Sequence, residues 1–148
     1  MIAVREMCEK DIEAVSALEE EVFSRPWSSN AFLAALHAKN AVFLIAEEAG
    51  DIFGYIGMYF AVDEGEITNV AVSPGRRTQG IGTSLIHEMI RQAKRRALAN
   101  LVLEVRVSND AAVGLYEKNG FVKLGIRKGF YDLPKEDAYL MRRCISKE

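Results

Sequence analysis

Two stretches of this chain carry groups that could do chemistry. One is Leu101-Val102-Leu103-Glu104-Val105-Arg106-Val107, an almost unbroken apolar run interrupted by Glu104. A run this short and this apolar reads as a central strand buried on both faces. A carboxylate placed there loses water, which disfavours its charged form and raises its pKa toward the range a general base needs. The competing reading is structural: Arg106 projects to the same sheet face and could hold Glu104 in a salt bridge. The other stretch is the loop Arg77-Thr78-Gln79-Gly80-Ile81-Gly82, followed by Thr83. It lies between a β-branched-rich segment, Glu66 to Val72, and a helical run that ends near Arg96. The first turn of a helix presents unpaired N–H groups and partial positive charge. Gly80 and Gly82 let a ligand approach, Arg76 and Arg77 add charge, and Thr83 can add a hydroxyl. A diphosphate suits this geometry. The loop is not a P-loop, because no Lys-Ser/Thr pair follows the glycines. It is a poor dinucleotide fingerprint, because Leu85 stands where a third glycine belongs. A plain strand-to-helix turn with two basic surface residues is the alternative.

The elements that must position these groups follow from periodicity. Residues 2–6 read as a strand. Asp11 is placed to cap a helix with Ile12, Val15, Leu18 and Val22 on one face. Arg25-Pro26-Trp27-Ser28 breaks that helix, and a second begins at Ser28 or Ser29 with Phe32, Leu33 and Leu36 inward. Trp27, in the connection, is either a core plug or a wall of a substrate site. Val42–Glu47 and Ile52–Phe60 form a hairpin around Ala49-Gly50-Asp51. Asp63-Glu64-Gly65 reads as a turn before the next strand. Glu47, Glu48, Asp63, Glu64 and Glu66 make this region acidic, either as a solvated rim or as an attraction for a basic substrate. After Ser73-Pro74-Gly75, apolar residues at 85, 86, 89, 90, 93 and 97 give a helix. Ser108-Asn109-Asp110 caps a short helix, Ala111 to Asn119, ended by Gly120. Phe121–Ile126 is a strand, Arg127–Glu136 a loop, and Ala138–Arg143 the last strand. The strand–helix–strand unit from Glu66 to Val107 predicts a parallel crossover in a mixed sheet. The fold class is α/β, one domain over residues 1–148.

Composition narrows the function. The chain has 148 residues, 49% hydrophobic and 27% charged, with a net charge of −2. That suits a single soluble domain and disfavours direct nucleic-acid binding. No apolar run is long enough to span a bilayer. The start of the chain is acidic and strand-like rather than a leader. Cys8 and Cys144 have no metal or redox spacing, so a reduced cytoplasmic setting and no metal are expected. Neither His37 nor His87 is paired with a nucleophile or a metal ligand, so neither is expected to be catalytic. The oligomeric state stays open between a monomer and a weak dimer.

Taken together, Arg77-x-x-Gly80-x-Gly82, the apolar strand, Asn109, and Leu115-Tyr116-x-x-x-Gly120-Phe121 resemble the GCN5-related N-acetyltransferase family over essentially the whole chain. Further stretches are similar to members of that family that acetylate the N-terminal alanine of a small-subunit ribosomal protein. They are Arg25-Pro26-Trp27-Ser28, Asn69-Val70-Ala71-Val72, Leu103-Glu104-Val105-Arg106-x-Ser108-Asn109 and Arg127-x-x-Phe130-Tyr131-x-x-Pro134-x-Glu136-Asp137-Ala138. In those members the aromatic loop usually has two adjacent tyrosines, and Phe130 replaces one here.

The resemblance implies a single-domain fold with a mixed, mostly antiparallel sheet of seven strands flanked by four helices. It implies acetyl-CoA as the co-substrate, with its pyrophosphate on the loop 77–83 and its pantetheine arm on Val70, Ala71 and Val72. Asn109 and Tyr116 would lie near the thioester. It assigns Glu104 as proton acceptor and Tyr116 as general acid toward the thiolate. Trp27, Phe130 and Tyr131 would line the acceptor site. Two bland readings stand beside these, Asn109 as an N-cap and Tyr116 as core packing. Two other functions also remain open: acetylation of a small-molecule amine, and a non-catalytic acetyl-CoA-binding module.

Overall fold

The computed structural model describes residues 1–145. In chain order the elements are β1 (Ala3–Glu6), α1 (Ile12–Val22), α2 (Ser29–His37), β2 (Ala41–Glu48), β3 (Asp51–Ala61), β4 (Glu64–Val72), α3 (Ile81–Arg95), β5 (Asn100–Arg106), α4 (Asp110–Lys118), β6 (Val122–Asp132) and β7 (Lys135–Cys144). The seven strands form one sheet in the order β1-β2-β3-β4-β5-β7-β6. Every neighbouring pair is antiparallel except β4 and β5. The parallel pair is forced by the α3 crossover between them.

The helices divide between the two faces. α3 and α4 bury Leu85, Ile86, Met89, Val113 and Tyr116 against Leu44, Ile56, Leu101 and Leu103. α1 and α2 bury Val15, Leu18 and Phe32 against Phe43, Ile45, Tyr55 and Ala71. On β5 the alternation is strict: Leu101, Leu103 and Val105 face α3, which turns Val102, Glu104 and Arg106 to the α1/α2 face.

Two irregularities in β4 shape the centre of the molecule. Its register against β3 slips after Ile67, so Thr68 is the extra residue of a β-bulge. The slip changes which residues face which side. Ile67 packs on the α3 side before it, whereas Asn69 and Ala71 turn to the α1/α2 side after it. Its ladder with β5 runs only from Glu64–Asn100 to Glu66–Val102. Beyond Glu66 the two strands part, and a wedge opens between them.

Several expectations need correction. Leu33 is 37% exposed rather than inward, and Ala35 takes the buried position in α2. Asp11 makes no helix-capping bond to α1; Arg5 and the Cys8 backbone N–H take its carboxylate instead. Glu64 and Gly65 already belong to β4, so the preceding turn centres on Val62 and Asp63. α3 ends at Arg95, and Ala97 lies past it in a left-handed conformation. The stretch 127–136 is not a loop. It continues β6 to Asp132 and returns as β7, with a register shift between Arg127 and Tyr131 that takes up the extra residues.

Candidate active site

The wedge is closed at one end by the loop before α3. Gly80 caps α3 with φ +82°, a left-handed conformation that L side chains rarely adopt, and open space surrounds the place a Cβ would occupy. The first helical bond, from the Ser84 N–H to the Gly80 carbonyl at 3.0 Å, leaves the N–H groups of Ile81, Gly82 and Thr83 without helical partners. Gly82 serves packing: a Cβ there would sit 3.0 Å from Leu115 Cδ2, so α3 and α4 approach closely at the wedge. Arg76 is committed elsewhere. Its guanidinium pairs with Glu48, donates to Gln79 at 2.7 Å and lies 4.1 Å over the Phe53 ring. Among the described residues Arg77 makes one long bond, 3.3 Å to the Val72 carbonyl, and it is exposed. Thr78 and Gln79 are exposed beside it, and Thr78 has φ +70°. On the wedge side, β4 from Ile67 to Val72 has no ladder partner in β5, although Val70, Ala71 and Val72 stay paired to β3.

These features fit an extended, diphosphate-bearing thioester such as acetyl-CoA. Free N–H groups and an accessible arginine lie at one end, and an unpaired strand edge leads inward. Asn109 sits at the mouth as the N-cap of α4, its Oδ1 accepting from the Ala112 N–H at 3.2 Å. The structural reading of Asn109 is therefore realised.

Glu104 lies on β5 just past its last pair with β4, on the α1/α2 face, and Tyr116 lies on α4 over the opposite face. The Glu104 side chain is 13% exposed and pairs with Arg127, Nε to Oε2 at 3.1 Å. Burial raises its pKa, the nearby Glu66 raises it further, and Arg127 opposes both. Arg106, the partner suggested by the sequence, points elsewhere. It pairs with Glu136 at 3.2 Å and donates to the carbonyls of Pro134 and Leu133. Arg127 reaches Glu104 because Ala138 on β7 lies between Arg127 and Arg106 in the sheet, and its small side chain leaves room to lean across. Nothing in the sequence marks this pair; it depends on the register of three strands.

Tyr116 is buried on α4, packed against Phe121 with centroids 5.8 Å apart. Burial, and secondarily Tyr131, drive its pKa well above the ordinary phenol value. Its hydroxyl makes no hydrogen bond among the described residues. Burial raises the pKa of Tyr131, Arg106 opposes the rise, and the charges of Glu104 and Glu136 add to it. The Arg106 guanidinium stacks 4.2 Å over the Tyr131 ring. Phe130 packs edge-on against Tyr131 at 5.0 Å and is 48% exposed.

The α1/α2 face supplies the opposite wall. Trp27 packs on Phe32, Phe43 and Tyr59 at 5.3, 5.8 and 6.5 Å, so it is at once part of a cluster and partly exposed. Its backbone N–H donates to Glu19 at 2.9 Å, and Glu19 also accepts from the Tyr55 hydroxyl. Because Tyr55 gives its proton to Glu19, its oxygen can only accept, which makes the Asn69 amide nitrogen the donor at 3.3 Å. Asn69 Oδ1 is then left buried without a partner among the described residues. This Glu19–Tyr55–Asn69 relay fixes the α1–α2 connection to the bulge of β4. The same connection is tied to the β6–β7 turn by Arg25 with Asp132 at 2.8 Å and by the Ser24 hydroxyl on the Leu133 carbonyl.

His37 pairs with Glu9 at 3.2 Å on the surface, and His87 is exposed on α3. Among the described residues, no group of three or more His, Cys, Asp or Glu side chains is arranged to hold a metal ion. No helix there is long and apolar enough to cross a membrane.

Comparison with known proteins adds an independent line. A family profile described as Acetyltransferase (GNAT) family matches residues 11–121. A Bacillus subtilis protein provisionally assigned as a [ribosomal protein bS18]-alanine N-acetyltransferase is 39% identical over 140 residues, covering 94% of this chain and 93% of its own. The Escherichia coli [ribosomal protein bS18]-alanine N-acetyltransferase is 33% identical over 138 residues, covering 92% and 93%. The crystal structure of the Escherichia coli ribosomal-protein-S18-alanine N-acetyltransferase superposes with a TM-score of 0.90 at 30% identity, covering 99% of this chain and 95% of that one.

Proposed function

The chain belongs to the GNAT acetyltransferase family and takes its acetyl group from acetyl-CoA, and on that premise we propose that the acceptor is a protein N-terminal α-amine, the alanine of ribosomal protein bS18. The observation that carries this reading is Glu104, a largely buried carboxylate of raised pKa on the acceptor face where β4 and β5 part. Such a group suits an α-amine better than a lysine. A free α-amine has pKa about 8 and a lysine about 10.4, so freeing the reactive neutral form near pH 7 costs about 1.4 kcal/mol for the first and about 4.6 for the second. The similarity to alanine acetyltransferases over more than nine-tenths of the chain supports the acceptor assignment. A ribosomal acceptor places the reaction in the cytoplasm.

The residues divide the work as follows. The N–H groups of Ile81, Gly82 and Thr83, with Arg77, Thr78, Gln79 and Gly80, hold the diphosphate. The free edge of Val70, Ala71 and Val72 holds the pantetheine arm, and Asn109 steadies it at the mouth. When bound, acetyl-CoA supplies an activated acyl carbon and a thiolate leaving group. A backbone N–H of β4 facing the wedge takes up negative charge developing on the carbonyl oxygen. Glu104 takes the proton from the acceptor amine, and Trp27, Phe130 and Tyr131 wall its path. Tyr116 donates a hydrogen bond to the sulfur. With its pKa raised above 10, while a thiol sits near 8.5, complete transfer of its proton runs uphill.

Mass spectrometry of a peptide panel with acetyl-CoA tests the acceptor. The expected result is one acetyl group on a peptide bearing the free alanine N-terminus of bS18. No acetyl group should appear on the same peptide with a blocked α-amine and a free lysine. Modification of polyamines alone, or of nothing, contradicts the reading.

A further inference from the structure

The loop that opens α3 is held in a strained shape. Thr78 has φ +70° and Gly80 has φ +82°. Gly80 takes that conformation freely, but Thr78 is β-branched, and its Cβ crowds the following carbonyl there. Thr78 is exposed, so packing does not hold it. A residue in such a conformation persists only where its surroundings impose it. Here a chain of side chains does so. Gln79 Oε1 accepts from Arg76 Nε at 2.7 Å, the one side-chain hydrogen bond that Thr78 and Gln79 make among the described residues. The Arg76 guanidinium lies 4.1 Å over the Phe53 ring of β3, and its Nη2 donates to Glu48 Oε1 at the end of β2. The second Glu48 oxygen takes the Met1 ammonium at 2.5 Å. Backbone bonds close the frame, from the Ser73 N–H to the Phe53 carbonyl at 2.7 Å and from the Arg76 N–H to the Ser73 carbonyl at 2.9 Å. Arg76 thus ties β2 and β3 to the loop.

We propose that Glu48 and Arg76 are positioning residues for the cofactor: they hold the Thr78-Gln79-Gly80 backbone in the shape the diphosphate requires, and Arg76 does not itself grip the diphosphate. Without the strut, Thr78 relaxes to a negative φ and the loop moves with it. The bound shape must then be rebuilt when the cofactor arrives, which weakens binding. The inference rests on the reading of this loop as the diphosphate cradle. It separates cleanly from direct contact. An arginine that gripped the diphosphate would bind it better once Glu48 released the guanidinium, whereas a strut without its anchor binds it worse. It also makes the need for Arg76 depend on the side chain at residue 78, because glycine takes a positive φ without help.

Titration calorimetry of CoA into the protein, with no acceptor present, gives a Kd free of turnover. Arg76→Met keeps the apolar stem and removes the strut, and it is expected to raise the CoA Kd about tenfold, equivalent to about 1.4 kcal/mol. Glu48→Gln should raise it about threefold to fivefold, and the double variant should be no weaker than Arg76→Met alone, since both act through one strut. In a Thr78→Gly background, adding Arg76→Met should change the Kd by less than about twofold. The alanine-peptide KM, measured at saturating acetyl-CoA, should stay within about twofold of wild type in Glu48→Gln and Arg76→Met. A CoA Kd equal to wild type in Arg76→Met overturns the proposal. So does tighter binding by Glu48→Gln, or a tenfold loss from Arg76→Met that persists beside Thr78→Gly, since either marks Arg76 as a direct ligand. A parallel rise in the peptide KM also overturns it, by marking a general loss of structure. Full binding of CoA by Gly80→Ala together with wild-type affinity in the strut variants overturns the cradle reading itself.

Discussion

Glu104 shows how much the setting of one side chain along the sequence can reveal. It is the carboxylate that interrupts the apolar run from Leu101 to Val107, and that setting predicts a raised pKa, which the burial of its side chain and the neighbouring Glu66 produce. Its counter-ion was not legible. Arg106 is nearby in sequence and on the same face, yet the sheet register hands Glu104 to Arg127 and sends Arg106 to the β6–β7 turn. Removing the Arg127 charge leaves the two raising influences unopposed. Arg127→Met is therefore expected to move the acidic limb of the kcat/KM profile to higher pH, read from a pH–rate series. Tyr116→Phe should lower kcat roughly a hundredfold, as loss of one transition-state hydrogen bond does elsewhere, and leave the acetyl-CoA KM nearly unchanged. Equal effects on both constants would make Tyr116 a packing residue.

At the scale of elements, the loop and its helix were the clearest signal and the β6–β7 hairpin the weakest. Gly80 and Gly82 announced a close backbone approach, although for different reasons. Gly80 answers a left-handed backbone in open space, and Gly82 answers Leu115. Gly80→Ala is expected to cost about 1–2 kcal/mol of strain at the cradle and to raise the acetyl-CoA KM, with the peptide KM unaffected. The continuation of β6 past Ile126 hid behind Gly129, and Pro134 in the turn that follows also looks like a loop residue. Pairing with β7 and the shift between Arg127 and Tyr131 absorb the irregularity. The Glu19–Tyr55–Asn69 relay was also invisible, because its members lie on α1, β3 and β4 and meet only when folded. Tyr55→Phe removes the hydroxyl between two buried polar groups, so a loss of about 1–3 kcal/mol is expected, read as a lower Tm.

The molecule as a whole is a sheet made to split. The α3 crossover forces β4 and β5 parallel, the bulge at Thr68 turns β4, and the strands part after Glu66. One face of the split carries the α3 loop and α4; the other carries Trp27, Glu66 and Glu104. The crossover was readable from the alternation of strand, helix and strand. The split was not, because it comes from where pairing stops. Global stability has its own pH signature. Arg5 holds the Asp11 carboxyl down to about 2, through a two-pronged contact at 2.8 and 2.9 Å. A depressed carboxylate stabilises the fold above its unfolded pKa, near 3.9, and loses that contribution as pH falls toward 2. About 2 kcal/mol is at stake, and Asp11→Asn should flatten the acid limb of stability between pH 4 and 2, measured by denaturant unfolding.

The measurement that bears most directly on the site is the pH–rate profile of wild type and Glu104→Gln on the alanine peptide, from pH 6 to 9. Proton removal by Glu104 predicts that the glutamine variant loses about 10²–10⁴-fold in kcat/KM near pH 7. It also predicts that the variant recovers part of this as pH rises and the amine loses its proton unaided. Wild-type turnover by Glu104→Gln across that range would contradict the account.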